Sequence, residues 1–290
     1  MAGLTNRSSD DRVNLGNFAS KPVRVIITIF VGLVVLFPFY WLITSGLKPE
    51  NQYFATPPIM VPTEITFDHF VAIFTKHDAL MGLTNSLLIA GITTTVTVVA
   101  GSMAAYTLIN GALPGKVKGF FMVWFIIQRM YPAVVVAVPV FFVFQQLKLL
   151  DTITALVIMN ASFNIPLVLL LMMGFYSEVP YDIEEQAILD GCNLFQRFFW
   201  VTTPMVQTGV VAVAILTFIF TWNEFLFGVI LTIRKATPIT VLISGFVTDR
   251  GLEWGPMAAM ACAVVFPVLI VMWLAQRSFV SGISAGALKM

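Results

Sequence analysis

Charge is what this sequence has least of. Only 11% of its 290 residues are Asp, Glu, Lys or Arg, against 58% that are hydrophobic. Soluble domains carry roughly a quarter charged residues, so a soluble fold is excluded. Cysteine and histidine are rare as well, with two of each. Cys192 lies in a polar loop and Cys262 inside an apolar run, a placement that argues against a disulfide and against a cysteine metal site. His69 and His77 share one polar stretch with Asp68 and Asp78. Zinc usually takes at least three protein ligands, so both histidines are expected at the surface and no metal site is expected. The chain also lacks a phosphate-binding loop. Its Gly115-Lys116 pair is followed by Val117, and Asn110 stands where the first glycine would be needed. No His-Glu-x-x-His pair occurs, and the Gly-x-Ser-x-Gly string at Gly282–Gly286 follows a long apolar run rather than a strand, so it is no nucleophile elbow. Net charge of +1 says nothing about nucleic acid, and no basic cluster argues for a nucleic-acid surface.

What is present is long apolar runs. A hydrocarbon core requires about 20 apolar residues per helix. Uncharged runs of that length occupy Val25–Leu47, Ala79–Gly115, Thr152–Ser177 and Trp254–Gln276. Two more carry one charge each: Gly119–Leu147 contains Arg129, and Phe198–Ile233 contains Glu224. The fold expected is therefore an all-α integral membrane protein with six transmembrane helices. An even number of spans puts both termini on the same side.

Lys and Arg set the orientation. Arg7, Arg12, Lys21, Arg24, Lys116, Lys118, Arg197, Arg277 and Lys289 lie on the side of the termini; Lys48, Lys76, Lys148, Arg234, Lys235 and Arg250 lie opposite. Four of the first group precede the first span and place the termini in the cytoplasm. Residues 1–22 are polar and lack a cleavable-signal pattern, which predicts a cytoplasmic N-terminal extension ahead of a permeating domain over residues 23–290.

Between the fourth and fifth runs lies a polar stretch, Pro180 to Pro204. Pro180 suits the first position of a helix. Asp182, Glu184 and Glu185 follow in the first turns, where the helix dipole favours carboxylates. Gly191 is the expected stop. Leu194, Phe195, Phe198 and Phe199 then predict a second short helix with one aromatic face. The spacing gives a helix–turn–helix, acids first and aromatics second, held at the cytoplasmic surface.

Glu185, Ala187 and Gly191, followed thirteen residues on by Pro204, resemble the EAA-loop signature of ABC importer permeases. Gln186, Val201 and Thr203 stand where that signature has Ala, Ile and Leu. Glu184 and the Asp190-Gly191 pair are similar to the carbohydrate branch, typified by the maltose transporter, and the resemblance runs from about residue 22 to the end. It implies a type I ABC importer permease fold with cytoplasmic coupling helices in a bacterial or archaeal inner membrane. It also implies four partners: a second permease subunit, an ABC ATPase dimer that holds ATP and magnesium, an extracytoplasmic sugar-binding protein, and membrane lipid. This chain itself would bind no cofactor and hydrolyse nothing. The resemblance assigns the ATPase contact to the loop 176–204 through Glu184, Glu185, Ala187, Asp190, Gly191, Phe195, Phe198 and Pro204. It assigns a further ATPase contact to the C-terminal tail at Ala285, Gly286 and Lys289. By position, the loop with Thr248, Asp249, Arg250 and Glu253 resembles the one that reaches the binding protein.

The residues of a translocation path are left open. Arg129 beside Pro132 could line a polar path, satisfy the carbonyls of a broken helix, or snorkel to the interface; an arginine at mid-membrane costs at least ~2.5 kcal/mol. Asn160 and Asn164 with Ser162 suit helix–helix hydrogen bonding or a polar stripe. Asn223 and Glu224 fall in the outer part of the fifth span, where Glu224 is either a wall of the path or an acid reaching solvent. Gly101 and Ala105, four apart, predict close helix packing. Thr66 is expected to cap a short amphipathic helix whose Phe67, Phe70, Val71 and Phe74 lie on the outer leaflet. The rival class is an ion-coupled secondary transporter of a small polar solute, which would require inverted repeats around a midplane ion site; no convincing repeat between the halves is visible.

Overall fold

The computed structural model describes residues 21–249 and 251–287, the last turns of its final helix by backbone alone. The extension up to residue 20, Arg250 and Lys289 lie outside the described residues.

The chain is helical, apart from one two-stranded hairpin. In order, α1 (Lys21–Leu47), α2 (Asp68–Thr75), α3 (Ala79–Asn110), α4 (Gly115–Met130), α5 (Ala133–Gln146) and α6 (Ile153–Ser177) lead to the polar loop. The loop contains α7 (Tyr181–Leu189), α8 (Leu194–Gln196), a π-helical stretch (Arg197–Thr202) and α9 (Thr203–Met205). After it come α10 (Gln207–Trp222), α11 (Leu226–Leu231), α12 (Ile239–Ser244), strands β1 (Val247–Thr248) and β2 (Gly251–Leu252), and α13 (Trp254–Ala287).

Four helices are continuous and apolar enough to cross a membrane: Pro22–Leu47, Ala79–Asn110, Ile153–Ser177 and Trp254–Leu274. The expected third and fifth spans are not single helices, and the count is six only if each bent pair is one span. Gly115–Met130 meets Ala133–Gln146 at 95°. The cause is Pro132, which has no N–H to give and drives the residue before it out of the α region. Tyr131 accordingly has an extended backbone, φ −71° and ψ 126°. Leu194–Met205 meets Gln207–Trp222 at 87°, so the straight helix within the expected fifth span begins at Gln207, not at Phe198 or Pro204, and ends at Trp222.

Three of the long helices build the interior. α3 packs along α6 and α10, and α13 closes the group from the other side. Gly101 lets α3 and α6 come close. A Cβ there would stand 2.7 Å from Val168 Cγ1 and 3.3 Å from the Ile165 carbonyl oxygen, so the small-residue spacing on α3 serves packing against α6. α1 leaves its apolar side chains exposed from Val25 to Phe39 and joins the rest by packing on α13.

At the end of the bundle away from the polar loop, Phe67, Val71 and Phe74 of α2 stay exposed, while Phe70 packs inward. Thr66 Oγ1 accepts from the Asp68 N–H at 3.1 Å. His69 is not a surface histidine. It is buried, its ring sits where a Cβ on Gly255 would be, and its Nε2 lies 3.1 Å from the Lys48 carbonyl oxygen. The missing side chain at Gly255 opens that slot, which no periodicity on α2 signals. In the C-terminal tail, the backbone of Ala285 and Gly286 continues α13 as helix.

Candidate functional site

The polar loop is shaped by its own sequence before anything else holds it. Pro180 takes the cap position, one residue earlier than its expected place inside the helix, and α7 follows. The helix ends in a Schellman turn: Gly191 N–H donates to Ile188 O, Cys192 N–H donates to Ala187 O, both at 3.0 Å, and Gly191 has φ +79°. Only glycine takes that left-handed conformation without steric cost. Asn193 and Gln196 then form a capping box, with N–H···O distances of 2.8 and 3.0 Å, that starts the second helical segment.

That second segment does not present one aromatic face. Its π winding closes i→i+5 bonds, so positions three and four apart no longer stack. Phe198 turns into the protein, whereas Phe195, Phe199 and Trp200 are exposed. Pro204 supplies a local reason: it lacks the N–H that would bond the Trp200 carbonyl, and its ring crowds that oxygen.

The acids divide just as sharply. Glu184 is 3% exposed, and its carboxylate is surrounded by donors from its own chain. Tyr106 Oη donates to both carboxylate oxygens at 3.0 Å, Asn110 Nδ2 at 3.2 Å and Arg197 Nη1 at 3.1 Å, and Thr202 Oγ1 donates to Oε1 as well. The Arg197–Glu184 contact is the single salt bridge among the described residues. Around it, the rings of Tyr106, Tyr176 and Phe198 pack with centroids 5.4–6.2 Å apart, and Tyr176 Oη lies 3.1 Å from Thr203 Oγ1. The loop is thereby fastened to the ends of both α3 and α6.

Of the residues that the family resemblance assigns to the ATPase contact, Glu184, Ala187 and Phe198 are therefore buried within this chain. Glu185, Asp190, Gly191, Phe195 and Pro204 are exposed. The exposed face of α7 is apolar around its acid: Tyr181, Ile188 and Leu189 stand out, Leu189 with 81% of its surface accessible. Tyr106, Asn110 and Thr202 are the members of the site that sequence reasoning missed. Tyr106 and Asn110 are four apart at the end of an apolar helix, and that polar pair on one face was the available signal.

Each proposed path residue is in contact with a neighbour outside the set. Arg129 is exposed, with its guanidinium carbon 5.7 Å from the centre of the Phe220 ring. Asn160 is buried and donates to Leu156 O in its own helix at 2.9 Å. Asn164 is buried and donates to Thr221 Oγ1 at 3.3 Å, a helix–helix bond between α6 and α10. Asn223 is exposed and donates back to Ile219 O. The Glu224 carboxylate accepts from the Phe227 and Gly228 N–H groups at 2.7 and 3.2 Å, which caps the start of α11 where α10 has stopped. A cavity of about 500 Å³ opens at the break between α4 and α5, bounded by Trp124, Gln128, Tyr131, Val136, Ser162 and Phe163. Gln128 spans its edge, donating to Ser162 O at 2.8 Å.

Thr248, Asp249 and Glu253 belong to or flank the hairpin at the opposite end. Val247 pairs with Leu252 and Thr248 with Gly251, and Asp249 and Glu253 are exposed. A second polar anchor, unforeseen in the sequence, holds the segment leading to it. Asp151, between α5 and α6, accepts four main-chain N–H bonds at 3.0–3.1 Å, from Ile233, Arg234, Lys235 and Ala236. Burial pushes this carboxyl upward, but the four donors outweigh it and hold it down at about 2.

Comparison with known proteins matches residues 97–278, which include the whole loop, to the family described as "Binding-protein-dependent transport system inner membrane component". The chain is 32% identical over 263 residues to a probable ABC transporter permease protein, y4oR, of Sinorhizobium fredii, covering 89% of this chain and 92% of that one. It is also 32% identical to the trehalose transport system permease protein SugB of Mycobacterium tuberculosis, over 91% of this chain and 96% of that one. The fold superposes on a chain in the crystal structure of a bacterial ABC transporter involved in the import of the acidic polysaccharide alginate. That match has a TM-score of 0.73 at 19% identity, over 90% of this chain and 98% of the other. These matches take in the polar loop and most of the chain, and the chain belongs to the family of inner-membrane components of binding-protein-dependent transport systems.

Proposed function

We propose that this chain is the transmembrane permease subunit of an ATP-driven, binding-protein-dependent sugar importer, providing half of the translocation path. The observation that carries the proposal is the division of the loop 181–205. One side is buried and bonded to α3 and α6, and the other offers Glu185 among exposed Tyr181, Ile188, Leu189 and Phe195. An exposed apolar patch with a central charge suits a protein partner. An ABC ATPase dimer, which holds ATP and magnesium, is the partner that fits a chain without a phosphate-binding loop. The loop and both termini are then cytoplasmic, in keeping with the excess of Lys and Arg on that side. Ala285, Gly286 and Lys289 would add a second contact to the same partner.

The substrate class rests on relatives: the named permeases serve trehalose, diacetylchitobiose and sulfoquinovosyl glycerol transport. A solved relative with a TM-score of 0.63 is a bacterial alginate transporter in complex with a pentasaccharide-bound periplasmic protein. Asp249, Glu253 and their neighbours Thr248 and Arg250 are where this chain would meet its extracytoplasmic sugar-binding protein. A second permease subunit and lipid would cover the exposed apolar faces of α1 and of α4 and α5.

Glu185→Lys tests the reading. The substituted chain should insert in the membrane normally but lose ATP-dependent uptake, because a cation replaces the acid at the centre of the docking face. Uptake at the wild-type rate would sink it.

A further inference from the structure

α3 differs from the other three continuous spans in one respect that bears on force transmission. α1, α6 and α13 each contain a proline, Pro38, Pro166 and Pro267, and α3 contains none. Proline removes a backbone hydrogen bond and makes a helix bend at that point. The 32 residues of α3 form an uninterrupted helix about 48 Å long, and side chains at both of its ends are bonded to segments distant in sequence. At the loop end, Tyr106 and Asn110 donate to Glu184. At the other end, Asn85 Nδ2 donates to the carbonyls of Lys235 and Thr237 at 2.9 and 3.1 Å, and the Ile239 N–H donates to Ser86 Oγ at 2.9 Å. The Lys235 stretch is the one whose main chain Asp151 gathers.

We propose that α3 is a rigid rod linking the ATPase-facing loop to the segment 232–239 at the opposite face. Glu184 is a positioning residue at its inner joint, and Asn85 and Ser86 are positioning residues at its outer joint. Glu184 touches no partner in this scheme. It fuses α7, the π-helical stretch and α3 into one body, so a displacement of the exposed face of α7 reaches the far segment without being absorbed in a hinge. α10 cannot serve the same purpose, since it leaves the loop through an 87° bend and stops at Trp222. Coupling between distant sites requires such a physical element whose position both ends bias. By linkage the rod works in both directions: a binding protein arriving at the far face shifts the same body that the ATPase grips.

This inference rests on the proposed function, and its test separates the two. The full complex, with both permeases, the ATPase and the cognate binding protein, is reconstituted in lipid nanodiscs, and ATPase activity is measured with and without the binding protein. Glu184→Gln and Tyr106→Phe at the inner joint, and Ser86→Ala at the outer one, should assemble and insert. Stimulation by the binding protein should fall by about fivefold or more in each, the lower range of typical coupling. Ser86→Ala should keep its basal rate, a split that loss of folding would not produce. In the unsubstituted joints, nitroxides at Cys192 and Arg234→Cys, with Cys262→Ser, should report one distance in both the nucleotide-free and the Mg-ATP–vanadate states. A change in that distance exceeding a helical turn, about 5 Å, would overturn the rod. So would full stimulation in both the Glu184→Gln and the Ser86→Ala complexes. A wild-type chain that recruits no ATPase would instead overturn the proposed function.

Discussion

Two carboxylates hold the two polar ends of this protein, and they do so with different kinds of partner. Glu184 is enclosed and satisfied by side chains: a phenol, an amide, a guanidinium and a hydroxyl, drawn from α3 and from the π-helical stretch. Asp151 is partly open and satisfied by four main-chain N–H groups of one short segment, three of whose residues are exposed. The first arrangement joins three separate elements and excludes water. The second shapes a single turn of chain, and water can replace it. A buried ion pair loses most when one partner is removed, because the other charge is stranded; an exposed acceptor leaves donors that solvent can satisfy. The loop end should therefore be brittle and the far end tolerant.

The strongest way to break this contrast is Glu184→Ala. Buried Tyr106 and Thr202 and half-buried Arg197 and Asn110 would lose the carboxylate that accepts from them, at a cost of about 3–5 kcal/mol. Thermal unfolding of the purified chain in detergent should show a large drop in midpoint. A midpoint equal to that of the parent would mean that the carboxylate is dispensable and that the two ends are alike after all.

Tyr106→Phe is the milder probe of the same end. It removes one donor to a charged acceptor and leaves the ring packing with Tyr176 and Phe198 in place. The expected loss is about 1.5–3 kcal/mol, the usual range for a hydrogen bond to a charged group. Combining it with Thr202→Val should give less than the sum of the single effects, since both donors serve one carboxylate. Strict additivity would argue that they act on separate structures.

The contrast also explains what could be read from the sequence. The apolar runs set the long helices, and Pro180, Gly191 and the acids between them defined α7 and its stop, because those signals are local. Pro132 announced a break, but not that it would turn the chain by 95°. Glu184 and Glu185 are neighbours of identical chemistry, and their opposite fates depend on Tyr106 and Asn110, which lie 78 and 74 residues earlier. No spacing within the loop reveals that. The same holds for His69, whose burial is decided by a missing side chain at Gly255, and for Asp151, whose donors follow it by more than 80 residues. The π winding at Arg197–Thr202 defeated the helical period itself, so the face assigned to Phe198 was wrong while the segment's existence was right.

The smallest effect expected is at Asp151, and pH isolates it. Its folded-state value of about 2 lies below the ordinary 3.8, so the stabilisation it lends is present above pH about 4 and is lost as pH falls through 2. Hydrogen-exchange protection at the amides of Ile233, Arg234, Lys235 and Ala236, corrected for the intrinsic pH dependence of exchange, should stay level down to about pH 4 and decline below it. Asp151→Asn should show weaker protection that does not change across this window, because an amide oxygen can still accept but carries no charge to lose. The global unfolding midpoint of that variant near neutral pH should shift little, by the equivalent of about 1 kcal/mol. If Asp151→Asn proved as damaging as Glu184→Ala, main-chain donors at an open surface would be holding the fold as firmly as a buried side-chain network. The asymmetry between the two ends would then have to come from something other than the accessibility of water.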